Sequence, residues 1–534
     1  MADLPAADAA AAVAADAADT AGAAVAPLDA TTRMVCAQAY WDPTFAAQAE
    51  ELLLGDAFSA IGPPVGLDLP VILRHARHSL RIDRRRDWAL LACWVLVALC
   101  VAGPLVITRG TKDFEPTVFG VLCGVASVAT LAWTIATTAR WLRVHAAFAL
   151  LRTPPAPPVS APPLPPDVHA EIVADQASNV VCYPAGAPNP FAAFGELLGE
   201  EVTVRLPPAP ARVDATDLHL YLANELARDP RLADVAIAGN LFVRGDVADD
   251  VPGLWPGGKQ SRPSRQAHAL IYSVGINPGD RAQTYLTFQT ARHDGGLMIS
   301  MHVRIREQNE RIVLGIASTI ATPPAAKYTS VSGPLPRTLG RVRAHARWYT
   351  LLELPGIATE AWSSPLVTFV GHRLNVRARK KGLRRIRRKG RLPERGARTS
   401  LRRWIMDPAK ITAHDAEARD VLRLLREALF EHLVRYFQAH ELPTGDLMGV
   451  RDAVLRVEGT VRAGSVVETG KPDSDRTADT HQKADTDQKT DTRRRAKADR
   501  KADAERRAAA NRKAEAERRA RADRDFRATG RPRR

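Results

Sequence analysis

Hydrophobic and polar positions divide this chain into stretches of different period. Two runs carry no charge at all: Trp88 to Thr108, WALLACWVLVALCVAGPLVIT, and Pro116 to Ala139, PTVFGVLCGVASVATLAWTIATTA. At about 1.5 Å of rise per residue, runs of about 21 and 24 residues can span a hydrocarbon core of roughly 30 Å. Water-facing helices seldom run that far without a polar face. The pattern predicts a membrane α-helical hairpin of two transmembrane helices, 88–108 and 116–139, with Trp88, Trp133 and Trp141 near the headgroup level. No Asp, Glu, Lys, Arg or His falls inside either run, so the usual mark of an ion path is missing.

Beyond the runs the period changes. Between Asp167 and about Arg337 lie short strand-like stretches: EVTVRL, DVAIAGNLFVRG, AHALIYSVGI, QTYLTFQTA and LMISMHVRIREQNERIVLGIASTIAT. The last reads as a long antiparallel hairpin turning at Gln308 and Asn309, and ATDLHLYLANELARD reads as a helix. An α+β cytoplasmic domain over 167–340 is expected. From Gly340 the helical period returns, and Val421, Leu424, Leu425, Leu429, Leu433 and Phe437 form an apolar stripe suited to packing on another element. This 341–468 region is expected to be basic and mainly helical.

Local stop and start signals refine the boundaries. Asp42 before Pro43 in YWDPTF places an N-cap and first helical residue, and Asp68 with Pro70 repeats the arrangement. These open a helical segment over 33–87, in which His75 and His78 are expected on a solvated basic face rather than as a metal pair. The Ala-rich stretch 1–32, with five Asp and no Lys or Arg, reads as a disordered leader. TPPAPPVSAPPLPPD, 153–167, reads as a polyproline spacer, the linker proper being 153–166. The tail 471–534 alternates Ala with both charge signs, has no apolar seam, and is expected to be disordered or a solvated helix.

Charge is concentrated in two places. The net charge is +16, yet His372–Arg403 alone holds 15 Lys/Arg against one acid, and Lys471–Arg534 holds 22 against 13. The rest of the chain is therefore mildly acidic. Arg74, Arg77, Arg81, Arg84, Arg85 and Arg86 precede the first apolar run, and Arg140, Arg143 and Arg152 follow the second, so the positive-inside bias places both termini in the cytoplasm of a multi-pass cell-membrane protein. On that side anionic lipid attracts each nearby Lys or Arg by about 1 kcal/mol. Segment 372–403 is thus expected to contact anionic lipid through Arg379, Lys380, Lys381, Arg384, Arg385, Arg387, Arg388 and Lys389. Nucleic acid is the lesser expectation, since aromatics stand only at its edges, at Phe369 and Trp404.

Motifs that would carry chemistry fail on inspection. GLWPGGKQ lacks the Ser or Thr that must follow the Lys of a phosphate loop, and RHDGG, Arg292–Gly296, is a turn signal whose adjacent His and Asp cannot form a relay. Cys93, Cys100 and Cys123 lie in the apolar runs while Cys36 and Cys182 stand alone, so neither a disulfide framework nor a zinc site is read. No catalytic, cofactor-binding or metal-ligating set is predicted.

YWDPTF, the arginine-rich lead into the two runs, the proline spacer, RGARTSLRRW and ELPTGDL together resemble a group of two-span membrane proteins of high-GC actinobacteria, over most of 33–468. The resemblance implies the two-span architecture and no activity. Where that pattern would place an aromatic or acidic pair before GAR, this chain has Glu394 and Arg395. The expected role is a non-enzymatic scaffold or sensor-like module in the bacterial inner membrane. The alternatives are an enzyme with its site in 167–340 and a membrane-anchored nucleic-acid-binding protein.

Overall fold

The computed structural model describes residues 29–56, 58–107, 115–151, 161–187, 189–199, 201–205, 215–255, 262, 282–308, 311–329, 339–390, 392, 394–442, 444, 451, 454 and 466–467. Most of the leader, the turn after residue 107, the spacer's residues 153–160, the lysine of GLWPGGKQ, the strand expected in AHALIYSVGI and the charged tail lie outside them.

Capping decides where the N-terminal helices begin. Helix α1, Ala30–Trp41, ends at Asp42, whose carboxylate accepts from Thr44 N at 2.9 Å and starts α2, Pro43–Leu54. Asp68 does the same for α3, Leu69–Ile107, accepting from Val71 N at 3.2 Å. Helix α4, Glu115–Leu151, returns alongside α3, and α5, Pro166–Gln176, follows. Cys36, Tyr40, Phe45, Ile72, Leu73 and Ala147 form one buried cluster at the base of these helices. Arg143 of α4 joins it, donating to Tyr40 O at 2.8 Å and to Asp83 Oδ1 at 2.9 Å. The spacer ends inside this packing: Ala161 accepts from Arg74 Nε at 2.6 Å and Leu164 is buried.

The sheet follows. Its strands are β1, Val180–Tyr183; β2, Glu196–Leu197; β3, Val202–Arg205; β4, Val235–Arg244; β5, Ala282–Arg292; β6, Leu297–Gln308; β7, Arg311–Ala321; and β8, Val466–Val467. Their order is β1-β4-β5-β6-β7-β3-β8, with β2 also on β7; β1 and β8 pair in parallel with their neighbours and the rest antiparallel. Gln308 is still in the strand and pairs with Arg311, so the long hairpin forms as expected but turns one residue beyond the Gln308–Asn309 position read from the sequence. Helix α6, Ala215–Arg228, matches the helix read there, and α7, Ala326–Thr329, is a single turn.

Period 2 separates two faces. Leu297, Ile299, Met301, Val303 and Ile305 of β6 face Leu218, Leu222 and Leu226 of α6 and Leu422, Leu425, Leu429 and Leu433 of α10, Ile411–Ala439. The other face carries Phe242, Tyr285 and Met298 under Phe191 and Phe194. Both faces are covered, and on β6 the second face includes the buried polar residues Ser300 and His302. Residues on both sides of position 340 build the same core. Between them stand α8, Leu339–Lys389, which packs on α3 and α4, and the short α9, Leu401–Ile405.

The two-span hairpin is not what the structure holds. Among the described residues one helix, over Phe119–Leu151 with mean hydropathy 1.8, is long and apolar enough to cross a membrane. The first run forms the end of α3, an arginine-rich helix that begins at Leu69. Among the described residues the fold is instead an eight-stranded mixed sheet with α6 and α10 on one face and the Phe191–Phe194 turn on the other, and three long helices packed beside one another. His75 also departs from expectation: it is buried, with Nδ1 3.0 Å from Tyr40 Oη, because α1 covers the face thought to be solvated.

The charged tail, Lys471–Arg534, lies outside the described residues. With almost no apolar side chain to bury, the tail adds little to folding. Removing Lys471–Arg534 is expected to shift the thermal midpoint of the detergent-solubilised chain by no more than a few degrees. A larger fall would show that the tail packs.

Candidate functional site

The basic stretch predicted to meet lipid divides in two. Its first half is the C-terminal end of α8, where Lys380, Lys381, Arg384, Arg385, Arg387 and Arg388 are exposed; Arg379 and Lys389 lie on the same helix, with side chains outside the described set. The opposite side of this end is anchored, since Leu383 and Ile386 pack on Phe58 and Leu392. Gly382 meets Phe58 so closely that an added Cβ would lie 2.4 Å from the ring. Gly390, at φ +65°, then caps the helix in the left-handed conformation.

The second half folds largely into the protein, though Arg398 stays exposed. Arg395 is fully buried, placing Nη2 2.9 Å from Asp249 Oδ1 and its guanidinium 4.3 Å from the centroid of Trp255. Arg402 is also buried; it donates through Nη2 to the carbonyls of Gly296, Ala321 (3.3 Å) and Thr322 (3.4 Å), and burial pushes it down to about 10. Arg403 donates to Ala192 O at 2.9 Å and pairs with Glu196 at 3.1 Å. Glu394 accepts from Ala185 N and Gly396 N. The two residues that break the resemblance before GAR are therefore structural pins that tie the return from α8 to the strand β1 end.

The face of the sheet over 167–340 gathers polar groups, but seals them. His302 is wholly buried, with Nδ1 3.2 Å from Thr287 Oγ1 and Nε2 3.4 Å from Thr319 Oγ1, and Phe191 stacks on it at 4.6 Å. Desolvation drives its pKa down to about 3, so it is a neutral ring in an aromatic shell. A group so enclosed reaches no substrate arriving from solvent.

The long helices present the opposite situation. Trp88, Trp94 and Leu99 of α3, Phe119, Leu122 and Leu131 of α4, and Trp348, Leu351 and Leu352 of α8 are exposed, Phe119 at 71% and Trp348 at 64%. Leaving a large apolar side chain in water forfeits about 1.5–3 kcal/mol. Apolar surface of this extent marks a contact with lipid or a partner. Beside it, α4 and α8 enclose an open cleft of about 270 Å³ lined by Thr137, Thr138, Trp141, Arg343 and Arg347.

The cleft is a set of donors. Thr137 Oγ1 and Trp141 Nε1 are buried atoms without a hydrogen-bond partner among the described residues, and the Arg343 guanidinium lies 6.0 Å from the Trp141 ring centroid. Among the described residues no acid lines it, and Glu353 is engaged by Arg140, which also lies 5.3 Å from the Tyr349 centroid. Two guanidiniums, a hydroxyl and an indole N–H together complement an anion with several acceptor oxygens. Sequence reading missed this site because Arg343 and Arg347 fall outside the dense basic run. Their spacing of four on a helix beside Trp348 was the available signal.

Fold and surface together define a mixed-sheet protein joined to a bundle of long helices with an apolar flank and a neighbouring anion-complementary cleft. The chain belongs to the AbeC-like domain family, whose family model matches residues 192–471, from just before β2 to just after β8. No curated protein and no solved structure matches the chain.

Proposed function

We propose that this protein is a non-enzymatic, membrane-associated scaffold or sensor-like module that holds its sheet domain against a cell membrane rich in anionic lipid. The observation that carries this reading is the apolar flank of α3, α4 and α8 set directly beside a cleft of donors. Lipid tails cover the flank, and a phosphate headgroup enters the cleft between Arg343 and Arg347. The exposed basic end of α8 adds diffuse attraction, and Trp141 and Trp348 take the amphipathic ring positions favoured near headgroups.

Two measurements test it. The full-length chain is expected to stay in the membrane fraction through high salt and alkaline carbonate, and to leave only with detergent. Release by carbonate would overturn the membrane reading. In detergent, Trp fluorescence is expected to change on adding short-chain phosphatidylglycerol and not phosphatidylcholine. The Arg343→Ala/Arg347→Ala double variant should weaken that response roughly tenfold or more, at about 1 kcal/mol per lost cation. Equal response to both lipids would remove the headgroup site, and tight salt-sensitive nucleic-acid binding without lipid preference would put that partner in its place.

A further inference from the structure

The turn that sequence reading treated as punctuation, RHDGG, meets the start of α10. His293 Nε2 lies 2.8 Å from Glu417 Oε2, and His414 Nδ1 lies 3.9 Å from the same oxygen. The two imidazole centroids are 5.9 Å apart, and the three ligand atoms all fall within 4.8 Å of one another. His414 and Glu417 share one face of the helix by their i, i+3 spacing, while His293 arrives from the β5–β6 turn about 120 residues earlier in the chain.

The turn is held in an unusual conformation. His293 and Asp294 both take φ of +52°, and Gly295 follows at +78°. Two consecutive non-glycine residues in the left-handed region are costly, and such a conformation persists only where the surroundings enforce it. Here Thr31 Oγ1 donates to Asp294 O at 3.3 Å and Arg402 Nη2 donates to Gly296 O, so the start of α1 and α9 grip the turn from other sides. A turn fixed in this way delivers the His293 ring to α10 instead of leaving it in solvent.

We propose that His293, His414 and Glu417 form a divalent transition-metal site of the zinc class. Two imidazoles and one carboxylate are the ligand types such ions take, at about 2.0–2.2 Å each, which puts ligand atoms of a tetrahedral site about 3.3 Å apart. The observed separations of 2.8 and 3.9 Å bracket that value, so side-chain rotations alone close the set. His293 is exposed, leaving the fourth position to water. The ion staples the β5–β6 turn to the helix that covers the sheet. This site is independent of the lipid-facing surface.

The test uses the tag-free full-length chain in detergent, stripped with chelator. Calorimetric titration with Zn²⁺ is expected to show one ion per chain. Co²⁺ in its place should give the visible absorption of a four-coordinate site. Saturating Zn²⁺ should raise the thermal midpoint by on the order of 5 °C. His414→Ala and Glu417→Gln should abolish the stoichiometric binding and the midpoint shift, whereas His169→Ala, on an exposed position of α5, should leave both intact. If the variants unfold, the wild-type chain still decides, because chelator must then reverse the Zn²⁺ shift. No binding at micromolar Zn²⁺, or equal binding by wild type and Glu417→Gln, overturns the site.

Discussion

Replacing Arg395 by methionine is expected to cost about 3–5 kcal/mol of folding stability, the largest effect of any single substitution proposed for this chain. Arg395 and Asp249 are both buried, with Nε 3.1 Å and Nη2 2.9 Å from the same carboxylate oxygen. Arg395 also donates to Phe58 O at 3.3 Å, and Asp249 Oδ2 accepts from Leu392 N at 2.6 Å. Deleting the guanidinium leaves a carboxylate without its cation in a site closed by Trp255. Deleting both charges is different, because a buried ion pair roughly balances its own desolvation. The Asp249→Leu/Arg395→Met double variant should therefore recover part of the loss. Arg388→Met, on the exposed end of α8, should change stability by no more than about 0.5 kcal/mol. Denaturant unfolding of the detergent-solubilised chain measures all three. Equal behaviour of Arg395→Met and Arg388→Met would refute the pinning role.

The second large effect is acid lability. Burial pushes His302 down to about 3 and His219 and His75 down to about 4, so all three are neutral in the folded chain at pH values where a free imidazole is charged. Below about pH 6.5 the unfolded chain binds protons that the folded chain refuses, and stability falls as pH falls. Each such histidine contributes a slope of about 1.4 kcal/mol per pH unit down to its folded value, so the three together give roughly 4 kcal/mol per unit between pH 6 and 4. Asp29 and Asp175, whose carboxyls burial pushes up, bind protons in the folded chain and offset part of this at the lower end. The thermal midpoint should drop steeply from pH 6.5 to pH 5. His302→Gln, which can still meet Thr287 and Thr319, should remove about one third of the slope. An unchanged midpoint between pH 7 and 5 would contradict the buried neutral rings.

By itself the sequence determined the elements whose signals are short-range. Asp42 and Pro43 set the start of α2 through a cap two residues long, and the Gln308–Arg311 turn lies between two strands that alternate on either side of it. Leu425, Leu429, Leu433 and Phe437 are buried as their spacing required, because a helix with one apolar stripe must cover it with something. The tertiary structure decided what each charge means. Arg384 and Arg395 look alike in a basic run, yet one is exposed and the other meets Asp249, 146 positions earlier in the chain. His75 looked solvated until α1 covered it, and the first apolar run became the end of an arginine-rich helix rather than a separate span. The cleft joins Trp141 to Arg343, and the proposed metal site joins His293 to Glu417, across comparable separations. Periodicity and capping are properties of neighbouring residues and can be read along the chain. Desolvation and ion pairing depend on which distant residues the packed core brings together, so the same arginine or histidine becomes a surface contact, a buried pin or a ligand only after the chain has folded.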